Sequence, residues 1–293
     1  MLMAMENKGS EMPDCKKIGQ YTAEAAIESS DCPSDLATIW NEELSSAWKK
    51  EKGNIVAVSG QMEAGGGVVL NRAMLPHLAI SSGESLVLTA AHLVDKKKSI
   101  LVGTYDSDGE MGDMDQAKLV ALDRTKDLAL LRVSLSEKPR SDGINYQDLG
   151  EAKSGKKALA VLTEDTTRSL GFFEVSASSS YGAAGGAAIR KQYPAVTMAD
   201  KTNIVVFTTP DAPGTSGSPV VSEEGKILGL VSQRLPKIES NKVWLDNESK
   251  PLWQQTAAVS SREIRAFLQD VDTCKVIRSG LKKNRRASPP NLG

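Results

Sequence analysis

Gly214-Thr215-Ser216-Gly217-Ser218-Pro219 lies between two apolar runs, Ile204-Val205-Val206-Phe207 and Val220-Val221. Glycines on both sides hold Ser216 on a tight, open loop. Gly214 lets the backbone turn an N–H toward a substrate oxygen, and Gly217 keeps a side chain out of the way. A Ser hydroxyl barely ionises at neutral pH. It becomes a nucleophile only where a base takes its proton and backbone donors await the oxyanion. The stretch therefore raises the question of where the base is.

The chain has two histidines. Thr89-Ala90-Ala91-His92 follows the apolar run Leu86-Val87-Leu88, whereas His77 follows Pro76 with no flanking motif. His92 is thus the candidate base, because imidazole titrates near neutrality. Asp127 opens Asp127-Leu128-Ala129-Leu130-Leu131 and is the candidate partner for the second ring nitrogen; Asp123 stands close by and competes for that role. Ser218 is the rival to Ser216 as nucleophile. The order His, Asp, Ser is one of three in which this constellation occurs on unrelated folds.

Together the three segments resemble the trypsin-like (chymotrypsin-fold) serine peptidases. The Thr-Ala-Ala-His and Asp-Leu-Ala-Leu-Leu blocks look most like the bacterial HtrA-like and glutamyl-endopeptidase-like branches. Gly-Thr-Ser-Gly-Ser-Pro is similar to the nucleophile loop of the latter. The resemblance covers roughly residues 54 to 268. It implies an all-β chain of two six-stranded antiparallel barrels, with an N-terminal helical extension and a C-terminal helix. The expected division is 1–53 extension with an amphipathic helix, 54–143 first barrel, 144–260 second barrel, and 261–293 helix and basic tail. The implied activity is that of a serine endopeptidase acting through an acyl-enzyme. The alternatives are a peptide-binding protein that keeps the fold without cutting, and a Ser esterase.

The resemblance also assigns further roles. Gly214 and Ser216 offer the oxyanion N–H groups. Ser232 matches the family Ser that bonds the triad Asp, and it begins the edge, with Gln233 and Arg234, that meets substrate backbone. Pro210 falls at the base of the specificity pocket, so the trypsin charge is missing there; Asp211 follows it. Arg234 stands where a small Gly often keeps the pocket open, and a narrow pocket for small or medium apolar side chains is expected. Thr215 replaces the Asp of zymogen-type relatives, so activity independent of a newly cut N-terminus is expected. Val231 replaces the His of glutamyl endopeptidases, so a preference for Glu is not supported.

Bulk properties agree. In 293 residues, Lys plus Arg (36) against Asp plus Glu (37) leave a net charge of −1. That balance calls for neither nucleic acid nor an anionic membrane as partner; the resemblance implies a polypeptide substrate. No run of about 18 apolar residues predicts a membrane span. Residues 1–6 lack the basic and apolar regions of a signal peptide, which favours the cytoplasm, whereas the family resemblance favours an extracytoplasmic place. Of the three cysteines, Cys15 and Cys32 pair or all three stay free. No cysteine has zinc-site spacing and only His77 and His92 could assist, so no metal is expected; no cofactor is expected.

Along the chain, Leu36, Ile39, Trp40, Leu44, Ala47 and Trp48 share one face of a helix starting near Ser34. Strands follow at 54–58, 68–70, 85–90, 99–103, 118–122 and 128–133, with Gly65-Gly66-Gly67 read as a turn. Asp106 to Asp115 reads as a solvated hairpin loop rather than a calcium loop. Residues 138–143 read as the linker and 178–188 as a flexible Ser/Gly/Ala connection. Strands recur at 157–162, 171–175, 203–207, 218–221, 227–232 and 254–259. Ser260-Ser261-Arg262-Glu263 has the pattern of a capping box before a closing helix. A disordered basic tail follows from Lys282, leaving no room for a PDZ module.

Overall fold

Alternation inside the apolar runs sets the architecture. Leu86, Leu88, Leu128 and Leu130 join one buried cluster, while Val87, Ala129 and Leu131 join another. Successive side chains of a strand point to opposite faces. A strand covered on both faces therefore reads as continuously apolar. The structure, a computed structural model, describes residues 42–60, 63–95, 97, 99–105, 111–137, 139, 142–164, 167–192, 198–207, 215–236, 238–239, 242–243 and 253–273.

The chain is mostly β. Strands β1 (Ile55–Gly60), β2 (Glu63–Leu70), β3 (Ser85–Ala90), β4 (Leu101–Tyr105), β5 (Met111–Asp123) and β6 (Leu128–Val133) close an antiparallel barrel in the order β1-β2-β3-β6-β5-β4. The second sheet is built from β7 (Lys157–Glu164), β8 (Thr167–Ser180), β9 (Asn203–Phe207), β10 (Pro219–Ser222), β11 (Ile227–Pro236) and, after a small hairpin β12 (Ile238–Glu239) and β13 (Lys242–Val243), β14 (Trp253–Ser260). Its order is β10-β11-β14-β9-β8-β7, and β7 also pairs with β10. Among the described residues, four α-helices accompany the sheets: α1 (Glu42–Glu51), α2 (Ala91–Val94), α3 (Gly186–Gln192) and α4 (Ser261–Asp272).

The largest cluster lies between the sheets. It joins Leu86, Leu88 and Leu130 of the first to Ile204, Leu230 and Val259 of the second, and to Ile264, Phe267 and Leu268 of α4. Helix α1 sits across both sheets: its Leu44 and Ala47 pack on Ile55 and Ala57 of β1, Leu159 of β7 and Val221 of β10. Lys50 then ties the helix end to Asp148 (Nζ–Oδ1 2.8 Å). Burial alone would push the Asp148 carboxyl up, but the Lys50 ammonium and the Asn145 N–H outweigh it and hold it below the usual carboxylate value.

Four expectations are corrected. Met111–Asp115 is not loop but the start of β5, because it pairs with Val102 to Tyr105 of β4. The 178–188 stretch is no flexible connection: β8 runs to Ser180, Tyr181 is fully buried, and α3 begins at Gly186. Gly65-Gly66-Gly67 is part of β2 rather than a turn. No capping box forms at α4. Ser260 makes no side-chain cap bond, and the Glu263 carboxylate, which would return a bond to the Ser260 N–H, accepts instead from the backbone and side-chain N–H groups of Asn203. The segment from Ser34 to Asn41, all three cysteines, part of the linker and the basic tail lie outside the described residues.

Candidate active site

Strand pairing brings the first two residues together. β3 and β6 are neighbours with Ala90 opposite Leu128. His92 comes two residues after Ala90, and Asp127 one residue before Leu128. Asp127 then does four things at once. Its carbonyl accepts from the Ala91 N–H (3.1 Å). Its Oδ1 accepts from the His92 N–H (2.9 Å). Its Oδ2 lies 2.8 Å from His92 Nδ1. The Ser232 hydroxyl donates to the same Oδ2. A carboxylate facing Nδ1 makes that nitrogen the N–H, so Nε2 carries the lone pair.

Asp127 has φ 55°, the left-handed region. Asp is among the few side chains that visit it readily, because its carboxylate can bond locally. Here the turn is held by Asp123, whose Oδ1 accepts from the Thr125 N–H (2.9 Å), the Thr125 hydroxyl (2.7 Å) and the Lys126 N–H (3.1 Å). Asp123 is therefore the brace of the turn and not a competitor for His92. His77 is likewise engaged elsewhere: its Nδ1 and backbone N–H both meet the Asp272 carboxylate (2.8 and 2.9 Å).

Ser216 reaches this pair through a joint between the two sheets. The Gly66 N–H of β2 donates to the Ser216 carbonyl (2.8 Å). Gly217, at φ 79°, sits so close to β2 and β3 that a Cβ there would lie 2.2 Å from the Gly66 carbonyl oxygen and 2.4 Å from Thr89 Oγ1. The buried Thr89 hydroxyl donates to that same Gly66 carbonyl (2.7 Å). On the other side the Gly217 N–H donates to the Val231 carbonyl (2.7 Å), which leads directly into Ser232.

Ser232 occupies a bulge. In the β11–β14 ladder, Val231 pairs with Ala258 and Gln233 with Ala257, leaving Ser232 as the extra residue. A bulge bends the strand and re-aims a side chain. The buried Ser232 thus turns its hydroxyl to Asp127, while its carbonyl accepts from the Ser216 hydroxyl (3.4 Å). His92, Asp127, Ser232 and Ser216 form one connected chain of contacts. In this conformation, among the described residues, the Ser216 hydroxyl bonds Ser232 and not His92. The Ser216 backbone N–H bonds no described residue.

Ser218 is fully buried, and its hydroxyl has no hydrogen-bond partner among the described residues. Gln233 turns its amide in toward Tyr181, whose phenol burial pushes above its ordinary range, with Gln233 opposing. Arg234 pairs with Thr256 across the ladder and is partly exposed. Pro210, Asp211 and Gly214 lie outside the described residues.

The sequence reading missed the role of Gly65 and Gly66. A Cβ on Gly66 would lie 2.2 Å from Ser218 Oγ and 3.0 Å from Ser218 Cα; one on Gly65 would lie 2.3 Å from the Ser216 carbonyl oxygen. The available signal was glycine inside a strand, which marks close approach of another backbone. Gly66→Ala is expected to push the 215–218 loop outward and lower kcat by about 100-fold, since a misplacement of about 1 Å costs that much. Steady-state kinetics alongside a thermal melt checks this; an unchanged kcat would rule out the joint.

A family model described as the trypsin-like peptidase domain matches residues 65–230. A curated relative, the serine protease Do-like HtrA of Bacillus subtilis (strain 168), is 26% identical over 182 residues, which is 59% of this chain and 36% of that protein. The chain thus spans about a third of that relative's length (36%). Among solved structures, a serine endoprotease from Yersinia pestis aligns with TM-score 0.51 at 16% identity, covering 80% of this chain and 68% of the other. An inactive serine-to-alanine form of Rv3671c from M. tuberculosis H37Rv aligns with TM-score 0.51 at 16% identity, covering 83% and 96%. At that identity the two structures speak to the fold alone.

Proposed function

The chain belongs to the trypsin-like peptidase domain family, and from that premise we propose that it is a serine endopeptidase using Ser216, His92 and Asp127. The observation that carries the reading is the His92 ring bound through Nδ1 to a buried carboxylate, with Ser216 joined to the same carboxylate through Ser232. The Ser216 hydroxyl swings from the Ser232 carbonyl to His92 Nε2. As Oγ attacks the peptide carbonyl, Nε2 takes its proton and Asp127 stabilises the imidazolium. The negative oxygen is met by the N–H groups of Gly214 and Ser216. The imidazolium then protonates the leaving amine, giving an acyl-enzyme. Water, deprotonated by the same nitrogen, releases the acid and frees Ser216.

In this reading the fold is a pair of six-stranded barrels, 54–143 and 144–260, with the cleft between them. The ring of pairings in each sheet supports it. Polypeptide substrate lies along Ser232, Gln233 and Arg234, with Pro210 and Asp211 at the pocket, which takes small or medium apolar side chains. Work outside the cytoplasm is the place that the family resemblance implies; no helix of the described residues is long and apolar enough to cross a membrane. A fluorophosphonate probe tests the proposal. Labelling of the wild-type chain at Ser216 is the expected result. A folded chain that takes no label would instead be a peptide-binding relative, and ester turnover without peptide turnover would make it an esterase.

A further inference from the structure

Helix α2, which carries His92, is a single turn of four residues, Ala91–Val94. So short a helix is not stable on its own. Its N-cap, Ala90, makes no side-chain bond. The donors at its start are taken instead by Asp127: the Ala91 N–H by the carbonyl (3.1 Å) and the His92 N–H by Oδ1 (2.9 Å).

The other end of α2 is held from the same turn. Asp95, just past the helix, meets Arg124 in a two-point contact, Nε to Oδ2 at 2.6 Å and a terminal N–H to Oδ1 at 2.7 Å. Asp95 lies three residues after His92, and Arg124 three residues before Asp127. The ion pair therefore runs beside the His92–Asp127 pair and links the same two segments. Behind it, Asp123 locks the turn through three hydrogen bonds. From the second sheet side, the Ala199 N–H (2.8 Å) and the Thr202 hydroxyl (2.9 Å) both bond the Thr125 carbonyl.

An exposed ion pair is usually worth little to stability. Arg124 is 48% exposed and Asp95 21%, so no large effect on unfolding is expected. What a planar two-point contact adds even at an exposed site is direction. Contacts at both ends of a one-turn helix leave it little freedom to rotate, and rotation of α2 is what would swing the imidazole off the carboxylate. We propose that Arg124 and Asp95 are positioning residues that hold His92 in register with Asp127. The catalytic consequence rests on the peptidase reading; the positioning itself does not.

The test uses the full chain with Arg124→Met, Asp95→Asn and the exchange Asp95→Arg/Arg124→Asp. The deciding readout is the downfield proton resonance of the His92 Nδ1–H, which reports its bond to Asp127 without any turnover. Each single substitution is expected to move that resonance upfield and broaden it, and to lower kcat about tenfold with KM within about twofold. The exchange is expected to bring back both. Thermal midpoints of the three variants should stay close to that of the parent. A resonance unmoved in both single variants overturns the proposal, whatever kcat does. So does an exchange variant that is folded yet no better than the singles. If the parent turns over no peptide but its resonance still responds to the variants, the clasp stands and the peptidase reading falls.

Discussion

On the proposed assignment, Ser216→Ala is expected to lower kcat on a peptide substrate by roughly a million-fold, the scale of deleting the nucleophile of such a triad. The large effect follows from chemistry rather than folding. The Ser216 side chain is only half-buried, and its hydroxyl makes one long bond, 3.4 Å to the Ser232 carbonyl. Removing it leaves no buried group without a partner of consequence, so the melting temperature should stay near that of the parent. The Gly66 N–H bond to the Ser216 carbonyl survives, because it uses backbone atoms alone. Ser218→Ala makes the control. That hydroxyl is fully buried without a hydrogen bond among the described residues, so its loss should cost less than tenfold in kcat. Kinetics and fluorophosphonate labelling of both variants check the assignment. If Ser216→Ala stays active while Ser218→Ala does not, the nucleophile has been misassigned.

On the same proposal, Asp127→Asn is expected to lower kcat by about 10⁴-fold at neutral pH, through the wrong tautomer of His92. Asn is the informative substitution here. Both residues tolerate φ 55°, so the backbone is not strained further, as it would be by Ala. What changes is the donor and acceptor count. The native carboxylate accepts from the His92 N–H, the Ser232 hydroxyl and His92 Nδ1. An amide offers one oxygen and one NH₂ in the same place. If the NH₂ faces Nδ1, that nitrogen must become the acceptor and Nε2 the N–H, which cannot take a proton from Ser216. If the oxygen faces Nδ1, the NH₂ confronts the His92 N–H, a donor against a donor. Either way a buried donor is left unpaired, and stability should fall by about 1–3 kcal/mol. Urea unfolding and kcat together read both losses. A variant with native kcat would remove Asp127 from the mechanism.

Local pattern carried much of this. The apolar runs at Leu86–Leu88 and Leu128–Leu131 are strands because they are covered on both faces, and continuous hydrophobicity is the local trace of that. Thr89-Ala90-Ala91-His92 and Gly214 to Pro219 are recognisable because each function needs its backbone neighbours in fixed conformations. Other local signals misled. The Ser260 to Glu263 pattern fits a capping box, yet Asn203, sixty positions away, claims the Glu263 carboxylate. The Ser/Gly/Ala stretch looked mobile, but Tyr181 within it is buried beneath α3. Three glycines in a row looked like a turn because composition carries no information about what lies against a strand.

Residue types and their order along the chain were enough to nominate a base, its partner and a nucleophile, since acid–base chemistry at neutral pH admits few side chains. Convergence was a matter of folding. Ala90 faces Leu128 only through the β3–β6 register, Ser232 turns to Asp127 only because a bulge leaves it unpaired, and Ser216 arrives only because Gly65 and Gly66 let a loop from the other sheet come within hydrogen-bond distance. Each of these depends on how distant segments pack, and packing between distant segments leaves no periodicity in the sequence to read.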